Sequence, residues 1–520
     1  VVALKKTALK EVSVSEKSAN PSPRWRKKAV VIGSGFGGIA AAIRLQAMGF
    51  ETTILEKRDK PGGRAYVFEE QGFTFDAGPT VITAPECIDE LFVLAGRKTE
   101  EYVKLVPVTP FYRLLWHDGE FFDYSNNESQ MREQMQRFDP RDWEAYQKFY
   151  RYSKAVFDKG YTELAHEPFL DIWSMVKVAP ELIGLESYRS VYSVVAKYIR
   201  NEKLRQAFSF HSLLVGGNPF ETSAIYTLIH YLERNWGVYF PIGGTGALVG
   251  GLVKLFTDMG GKIELNTPAS EIRTEGHKVS GVRSGERFFP AEVVVSNADL
   301  VHTYESLMPN LDLAKKRARS LKRRQFSMSL FLIYFGTNRQ YSDVVHHTII
   351  FGPRYKGLLK EIFGGSRLPE DFSLYLHRPT ATDPHLAPPG HDCFYVLSPV
   401  AHKGHLKIDW SKEAPRYAEA ILESLERQLL PDLRKHLVVK KILTPDYFEK
   451  ELGAHLGNAF SLKPTLLQSA YFRHHNKDHD LRGLYFAGAG THPGAGVPGV
   501  INSAKATAKV VAGDFGVSLS

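Results

Sequence analysis

The sequence predicts an α/β fold in which a parallel sheet is assembled from separated parts of the chain. Three observations carry that expectation. Residues 29–56 run strand, glycine-rich turn, helix, strand, acid, and the same style of composition returns at 241–297 and again at 484–511. Between these lie 127–234, which reads as mostly helical, and 325–440, which mixes strand and helix patterns. Apolar strands followed by alanine-rich helices are the pattern of a parallel sheet covered on both faces.

The first strand is Ala29-Val30-Val31-Ile32, and Gly33, Gly35 and Gly38 follow in G-x-G-x-x-G spacing. The first glycine makes the turn, the second lets the backbone touch a pyrophosphate, and the third lets helix and strand pack closely. An alanine-rich helix to Met48 then offers its N-terminal N–H groups to phosphate charge. The second strand, Thr52–Leu55, ends at Glu56, eighteen residues beyond Gly38, where a carboxylate accepts hydrogen bonds from ribose hydroxyls. This is a Rossmann-like dinucleotide site. Arg58-Asp59-Lys60-Pro61-Gly62-Gly63-Arg64 adds a second pair of small residues and an arginine suited to a charge-assisted contact. The double arrangement resembles the FAD-binding flavoprotein oxidoreductases of the amine oxidase and carotenoid desaturase type, which implies FAD rather than NAD.

Further along, Tyr66–Phe68 and Phe73–Phe75 alternate as strands about a turn at Gln71-Gly72, and Asp76–Thr80, with Gly78, forms a small-residue loop that a flat ring could approach. Phe111–Phe122 reads as a hairpin with an Asp-Gly turn. After Pro241–Gly246 come a helix Leu248–Met259, a strand Ile263–Leu265, a turn reaching Ala269, and a strand Glu292–Asn297. The run Gly243–Gly246 is a poor second nucleotide fingerprint, because no strand is expected before it. Leu484–Gly490 is a strand entering a glycine-rich turn, and Val500–Val511 a helix.

At 520 residues, two to four domain-sized units are expected. A hydrophobic share of 43% with 24% charged residues is ordinary for a soluble enzyme. Of the net charge of +9, residues 1–28 carry +6, so the body is close to neutral and nucleic acid binding has little support. That segment reads as a disordered basic arm, solvated or leaning on an anionic membrane surface, and not as a secretory signal. Cys87 and Cys393 imply no disulfide framework and fit a reducing compartment. No transmembrane helix is expected, since the longest uncharged runs are broken by Gly and Pro.

The segments Gly33–Gly38, Arg58–Arg64, Gly72–Thr83, Ser209–Pro219, Pro241–Leu248, Val295–Asp299 and Leu484–Thr507 together resemble the bacterial-type phytoene desaturases, over about residues 29–513. The resemblance implies one FAD. The C-terminal loop with Gly490, Gly496 and Val497 would flank the flavin ring and ribityl chain, and the strand near Ala269 would contact the adenine end. It also implies a C40 polyene substrate, phytoene and its partly desaturated products, taken to lycopene or in a shorter course to neurosporene. Sister enzymes such as carotenoid isomerases and retinoid saturases share the fold. A polar amine oxidase is a further rival, and a flavin-free prenyl-lipid carrier of the GDP-dissociation-inhibitor type is the non-enzyme alternative. The expected division is a basic arm 1–28; an FAD-binding domain of 29–105, 235–300 and 441–513; a substrate domain of 106–126 and 301–440; a helical, membrane-proximal insertion 127–234; and a tail 514–520.

A hydrocarbon offers no handle for charge or hydrogen bonds, so its site must be an apolar tunnel. Phe208, Phe210 and Leu214 are candidates for its lining. Removal of a hydride leaves an allylic cation whose neighbouring C–H is acidic, so no strong base is required, and His492 and His211 are the candidates for a chemical role. His346-His347 and His474-His475 lack a nearby carboxylate or cysteine at ligand spacing, and no metal is expected. With one nucleotide fingerprint and no cysteine pair, electrons are expected to leave for a membrane quinone or dioxygen. The protein is expected at the cytoplasmic side of the membrane as a peripheral protein, touching lipid through Phe169–Val176. A homo-oligomer is compatible with the sequence.

Overall fold

The computed structural model describes residues 27–518. Five strands form a parallel sheet in the order Leu484–Phe486, Val293–Ser296, Lys28–Ile32, Glu51–Leu55, Lys262–Glu264. The earliest strand is central. It connects onward to the neighbour on one side, while the strands at 293 and 484 lie on its other side, so a crevice opens beyond its carboxyl end.

One face of this sheet is covered by the helices Phe36–Ala47, Gly244–Asp258 and Val497–Phe515, which share a core of Val31, Ile39, Leu252 and Ile501. The other face, through Val30, Ile32 and Val294, packs on Leu300–Ser306 and Asp312–Lys322. These two helices, expected with the substrate domain, therefore belong with the nucleotide sheet.

A second, seven-stranded sheet is mixed. Its strand Ser329–Thr337 shows how the residues sort. Leu330, Leu332 and Tyr334 face the helical insertion, whereas Phe331, Ile333 and Phe335 face the helix Trp410–Gln428. Successive strand side chains point to opposite faces, so burial on both produces an unbroken apolar run. The strand Leu437–Leu443 pairs with it, so the boundary expected at 440/441 falls inside a strand.

The insertion is helical, from Glu128–Phe138 to Leu228–Trp236, around Tyr146, Phe149, Phe208 and His230. Its helix Asp142–Phe157 ends in a π-helical turn, Asp158–Glu163.

Two helices begin earlier than the sequence suggests. The one expected from Leu248 starts at Gly244, and the one expected from Val500 starts at Val497 and runs to Phe515. In the first case the buried Asp76 carboxylate accepts from Thr245 N (2.7 Å) and Gly246 N (3.1 Å), supplying an anion to the helix start. Glycines that read as loop are the first turn. A strand, Tyr239–Pro241, does precede Gly243–Gly246, contrary to expectation, but it pairs antiparallel with Leu105–Pro107, outside the parallel sheet. The basic arm, apart from Lys27 and Lys28, lies outside the described residues.

Candidate dinucleotide and substrate cavity

A cavity of about 600 Å³ joins the crevice of the parallel sheet to the apolar face of the second sheet. At the crevice end it is lined by Gly33, Gly35, Glu56, Gly63, Arg64 and Ala269; Gly78, Gly496 and Val497 also reach it. The far end is walled by Phe210, Leu214, Leu332, Leu397 and Phe460. Gly490 lines a small side pocket next to Arg64 and Asn297.

The crevice fits a dinucleotide. The helix Phe36–Ala47 has no side-chain cap and no acid in its first turn, so its N-terminal N–H groups are left for an outside acceptor. A Cβ on Gly38 would stand 2.1 Å from the Gly33 carbonyl oxygen, which is why helix and strand can approach only at a glycine. Glu56 is buried. Its Oε2 accepts from Ser34 N (2.9 Å) and Ser34 Oγ (2.6 Å), and Oε1 from Arg58 N (3.0 Å), fixing the carboxylate at the cavity edge.

Gly62 N donates to the Ser34 carbonyl, and Gly63 lies so near that its Cβ would be 3.3 Å from Gly35 Cα. The second glycine pair thus lies against the first and carries Arg64 to the cavity. Arg64 has an exposed side chain, and it stands on the cavity wall with protein packed around the cavity. Burial pushes its pKa down, with Asp299 acting the other way. It makes no ion pair among the described residues, so a phosphate would find an unneutralised guanidinium.

Two residues central to this arrangement are missing from the sequence expectations. Asn297 follows the strand Val293–Ser296; its N–H donates to Ile32 O (2.9 Å) and its Nδ2 to Ala487 O (2.7 Å). Cβ atoms on Gly35, Gly37 and Gly488 would each fall within 3 Å of its amide. One residue, through its backbone N–H and its side-chain amide, therefore ties three strand ends together across bare backbone. Arg473, fully buried, donates to the carbonyls of Thr491 (3.1 Å), Ala489 (2.5 Å), Gln468 (3.2 Å) and Leu462 (3.1 Å), anchoring the loop before Gly496. Burial pushes its pKa down as well. The sequence signals for Asn297 are a strand ending in small polar residues and its place in the resembling segment Val295–Asp299, neither of which gives it a role; Arg473 has none.

His492 does not line the cavity. Its Nε2 donates to Leu164 O (2.7 Å), its ring meets Phe169 edge-on, and burial pushes its pKa down to about 4. Phe169 is thereby buried, so of the apolar residues in the expected lipid-facing stretch only Ile172, Trp173 and Val176 are exposed. Phe208 belongs to the core against Tyr146 and His230 rather than to the wall, because the 3-10 turn Phe210–Val215 redirects the chain after it. Phe210 and Leu214 line the cavity; His211 lies behind them, 3.1 Å from Glu233.

The histidine pair at 346–347 gains a third member, His377, across the register His347↔His377. These imidazoles are partly engaged by protein, His346 with His377 (3.1 Å) and Thr382 Oγ1 (2.6 Å), His347 with Tyr375 OH (2.8 Å), while His347 Nε2 and His377 Nδ1 have no partner among the described residues. Burial pushes all three pKa values down.

A family profile described as flavin containing amine oxidoreductase matches residues 36–512. The chain is 56% identical to the phytoene desaturase (lycopene-forming) of Pseudescherichia vulneris, over 94% of this chain and 100% of that one. It is 42% identical to the phytoene desaturase (neurosporene-forming) of Rhodobacter capsulatus, over 93% and 94% of the two. Among solved structures, an oxidoreductase from Methanosarcina mazei superposes with a TM-score of 0.61 at 19% identity, covering 92% of this chain and 98% of that one, a likeness of fold.

Proposed function

The chain belongs to the flavin containing amine oxidoreductases and, within them, to the phytoene desaturases, and on that premise we propose that it desaturates phytoene to lycopene with FAD. The observation that carries this reading is the continuity of the cavity, from a glycine-walled, arginine-bearing crevice to an aliphatic and aromatic chamber. FAD when bound supplies a two-electron acceptor for C–H bonds. Gly33, Gly35, Glu56, Gly63 and Arg64 would hold its nucleotide end, Ala269 the region beyond the second strand, and Gly496 and Val497 the other end.

The protein's own contribution is to bind, orient and exclude water. Affinity for a hydrocarbon comes from apolar area, on the order of 25 cal/mol per Å². Phe210, Leu214, Leu332 and Leu397 supply that area. Tyr375 and Tyr395, which also reach the cavity, have their hydroxyls engaged with Thr80 at 2.9 and 2.5 Å, so they present rings rather than unpaired polar atoms.

The lycopene reading is favoured over neurosporene by the 56% against 42% identity of the respective relatives. Incubation with phytoene in liposomes and chromatography of the products tests it; unchanged phytoene would refute it.

No helix among the described residues is long and apolar enough to cross a membrane. The substrate dissolves in lipid, so we place the protein on the membrane surface, on its cytoplasmic side, through the helix Ile172–Gly184. Ile172, Trp173, Val176 and Ile183 are 44–69% exposed there. Flotation with liposomes should fail for W173E with V176E. For electron exit we favour a quinone or dioxygen, because the N–H groups of the second glycine-rich helix start are already taken by Asp76.

A further inference from the structure

Four carboxylates line the cavity, Glu56, Glu233, Asp299 and Glu451, and Glu233 shares its lining with Phe210, Leu213 and Leu214. Glu233, on the helix Leu228–Trp236, lines the cavity with a side chain only 1% exposed. Its Oε1 accepts from Tyr112 OH at 2.7 Å. Its Oε2 stands 3.1 Å from His211 Nε2, whose side chain is 3% exposed, in a geometry that makes no hydrogen bond. Glu233 Oε2 and both ring nitrogens of His211 therefore have no hydrogen-bond partner among the described residues.

The neighbouring polar groups are mostly occupied, Arg234 Nε being the exception. His230 is engaged at both nitrogens, by Tyr124 OH (2.9 Å) and Tyr146 OH (3.1 Å), and Arg234 donates to Ser125 O. Leaving a buried carboxylate oxygen and an imidazole unsatisfied costs stability. It adds nothing to the binding of a hydrocarbon. Such a pair is suited to receive positive charge or a proton from the chamber.

Both arrive in desaturation, the reading on which this inference rests. One C–H bond breaks with its electron pair leaving as hydride to the flavin, and the substrate is left as an allylic cation. A C–H on the adjacent carbon then breaks, its electron pair closes the new C=C bond, and its proton must find an acceptor. We propose that Glu233, backed by His211, is that acceptor. The new O–H bond forms on Glu233 Oε2, and His211 Nε2 accepts a hydrogen bond from it once the two groups align. The substrate has then lost a hydride and a proton, the flavin has gained the hydride, and Glu233 holds the proton.

The test compares wild type, E233Q, E233D and H211N as FAD-loaded enzymes of equal flavin content. Product formation from liposomal phytoene should fall at least about 100-fold in E233Q and recover in part in E233D. The deuterium isotope effect at the carbon that loses the proton should rise from near unity to several-fold in E233Q. A second readout needs no turnover. A phytoene analogue carrying a tertiary ammonium at the cationic carbon should bind wild type about tenfold or more tighter than E233Q, while phytoene binds both alike. H211N should fall between wild type and E233Q in both readouts. Wild-type rates in E233Q would overturn the proposal. So would a slow E233Q with unchanged isotope effect and unchanged analogue affinity, which is the signature of a merely structural residue. If wild type itself leaves phytoene unchanged, the substrate reading fails first and this proposal falls with it.

Discussion

Gly35 offers a quantitative test of how the nucleotide crevice is built. Its φ of −67° suits any residue, so an alanine there meets no backbone strain. What it meets is Asn297: the new Cβ would lie 2.8 Å from Oδ1, against an ordinary contact of 3.4 Å or more. The amide is held by its 2.7 Å bond to Ala487 O and cannot withdraw freely. Relieving an overlap of about 0.6 Å in packed surroundings costs roughly 1–3 kcal/mol. N297A alone strips Ala487 O of its donor, at roughly 1–3 kcal/mol. In the double variant the clash is gone. G35A should then cost about 1 kcal/mol or more less in the N297A background than in the wild-type one. Urea unfolding of the flavin-free proteins measures the four corners of the cycle. Flavin content, read separately, should stay low in both Gly35→Ala proteins, because the methyl also faces the cavity. If G35A costs the same in either background, Asn297 is not what demands glycine and the three-strand tie is wrongly described.

Three further outcomes are expected. Burial raises the Asp76 pKa to about 6 against two opposing backbone hydrogen bonds, so the fold favours its protonated form. That contribution is fully present below about pH 4 and is lost as the pH rises through about 6, at most about 3 kcal/mol; the pH dependence of wild-type minus D76N unfolding should show this slope, and a flat difference would refute it. R473M leaves four carbonyls without their donor and should cost more than about 4 kcal/mol, with R473K intermediate; flavin release rates and unfolding both report it. L214E should abolish phytoene conversion, because it sets a carboxylate in the apolar part of the cavity wall; conversion at the wild-type rate would refute that placement.

Much of the crevice is legible in the sequence because it is local. From Ala29 to Arg64 every role depends on neighbours in one unbroken supersecondary unit, and glycine spacing encodes close approach directly. Asn297 and Arg473 escape because what they do depends on backbone from distant parts of the chain, and neither amide nor guanidinium carries a spacing signature. Gly244–Gly246 read as a loop because the anion that stabilises the helix start, Asp76, lies 169 residues away. His377 was invisible as a companion of His346 and His347 because strand register, not sequence spacing, brings it there. Aromatic density in the insertion identified an apolar interior but could not separate wall from core, as Phe208 and Phe210 show.

The order of strands in the parallel sheet has a consequence for biosynthesis. The strand Lys28–Ile32 finds its first neighbour within some twenty residues, but the partner on its other side arrives at Val293, and the outer strand only at Leu484. At roughly 5–20 residues per second of translation, the last strand follows the first by about 20–90 s. Through that interval the glycine turn lacks Asn297's hold on Ala487, and the strand at 293 has an open edge. A ribosome-bound chain short of residue 487 has no finished crevice. A chain truncated before Leu484 therefore leaves the strand Val293–Ser296 with an open edge in place of a finished crevice.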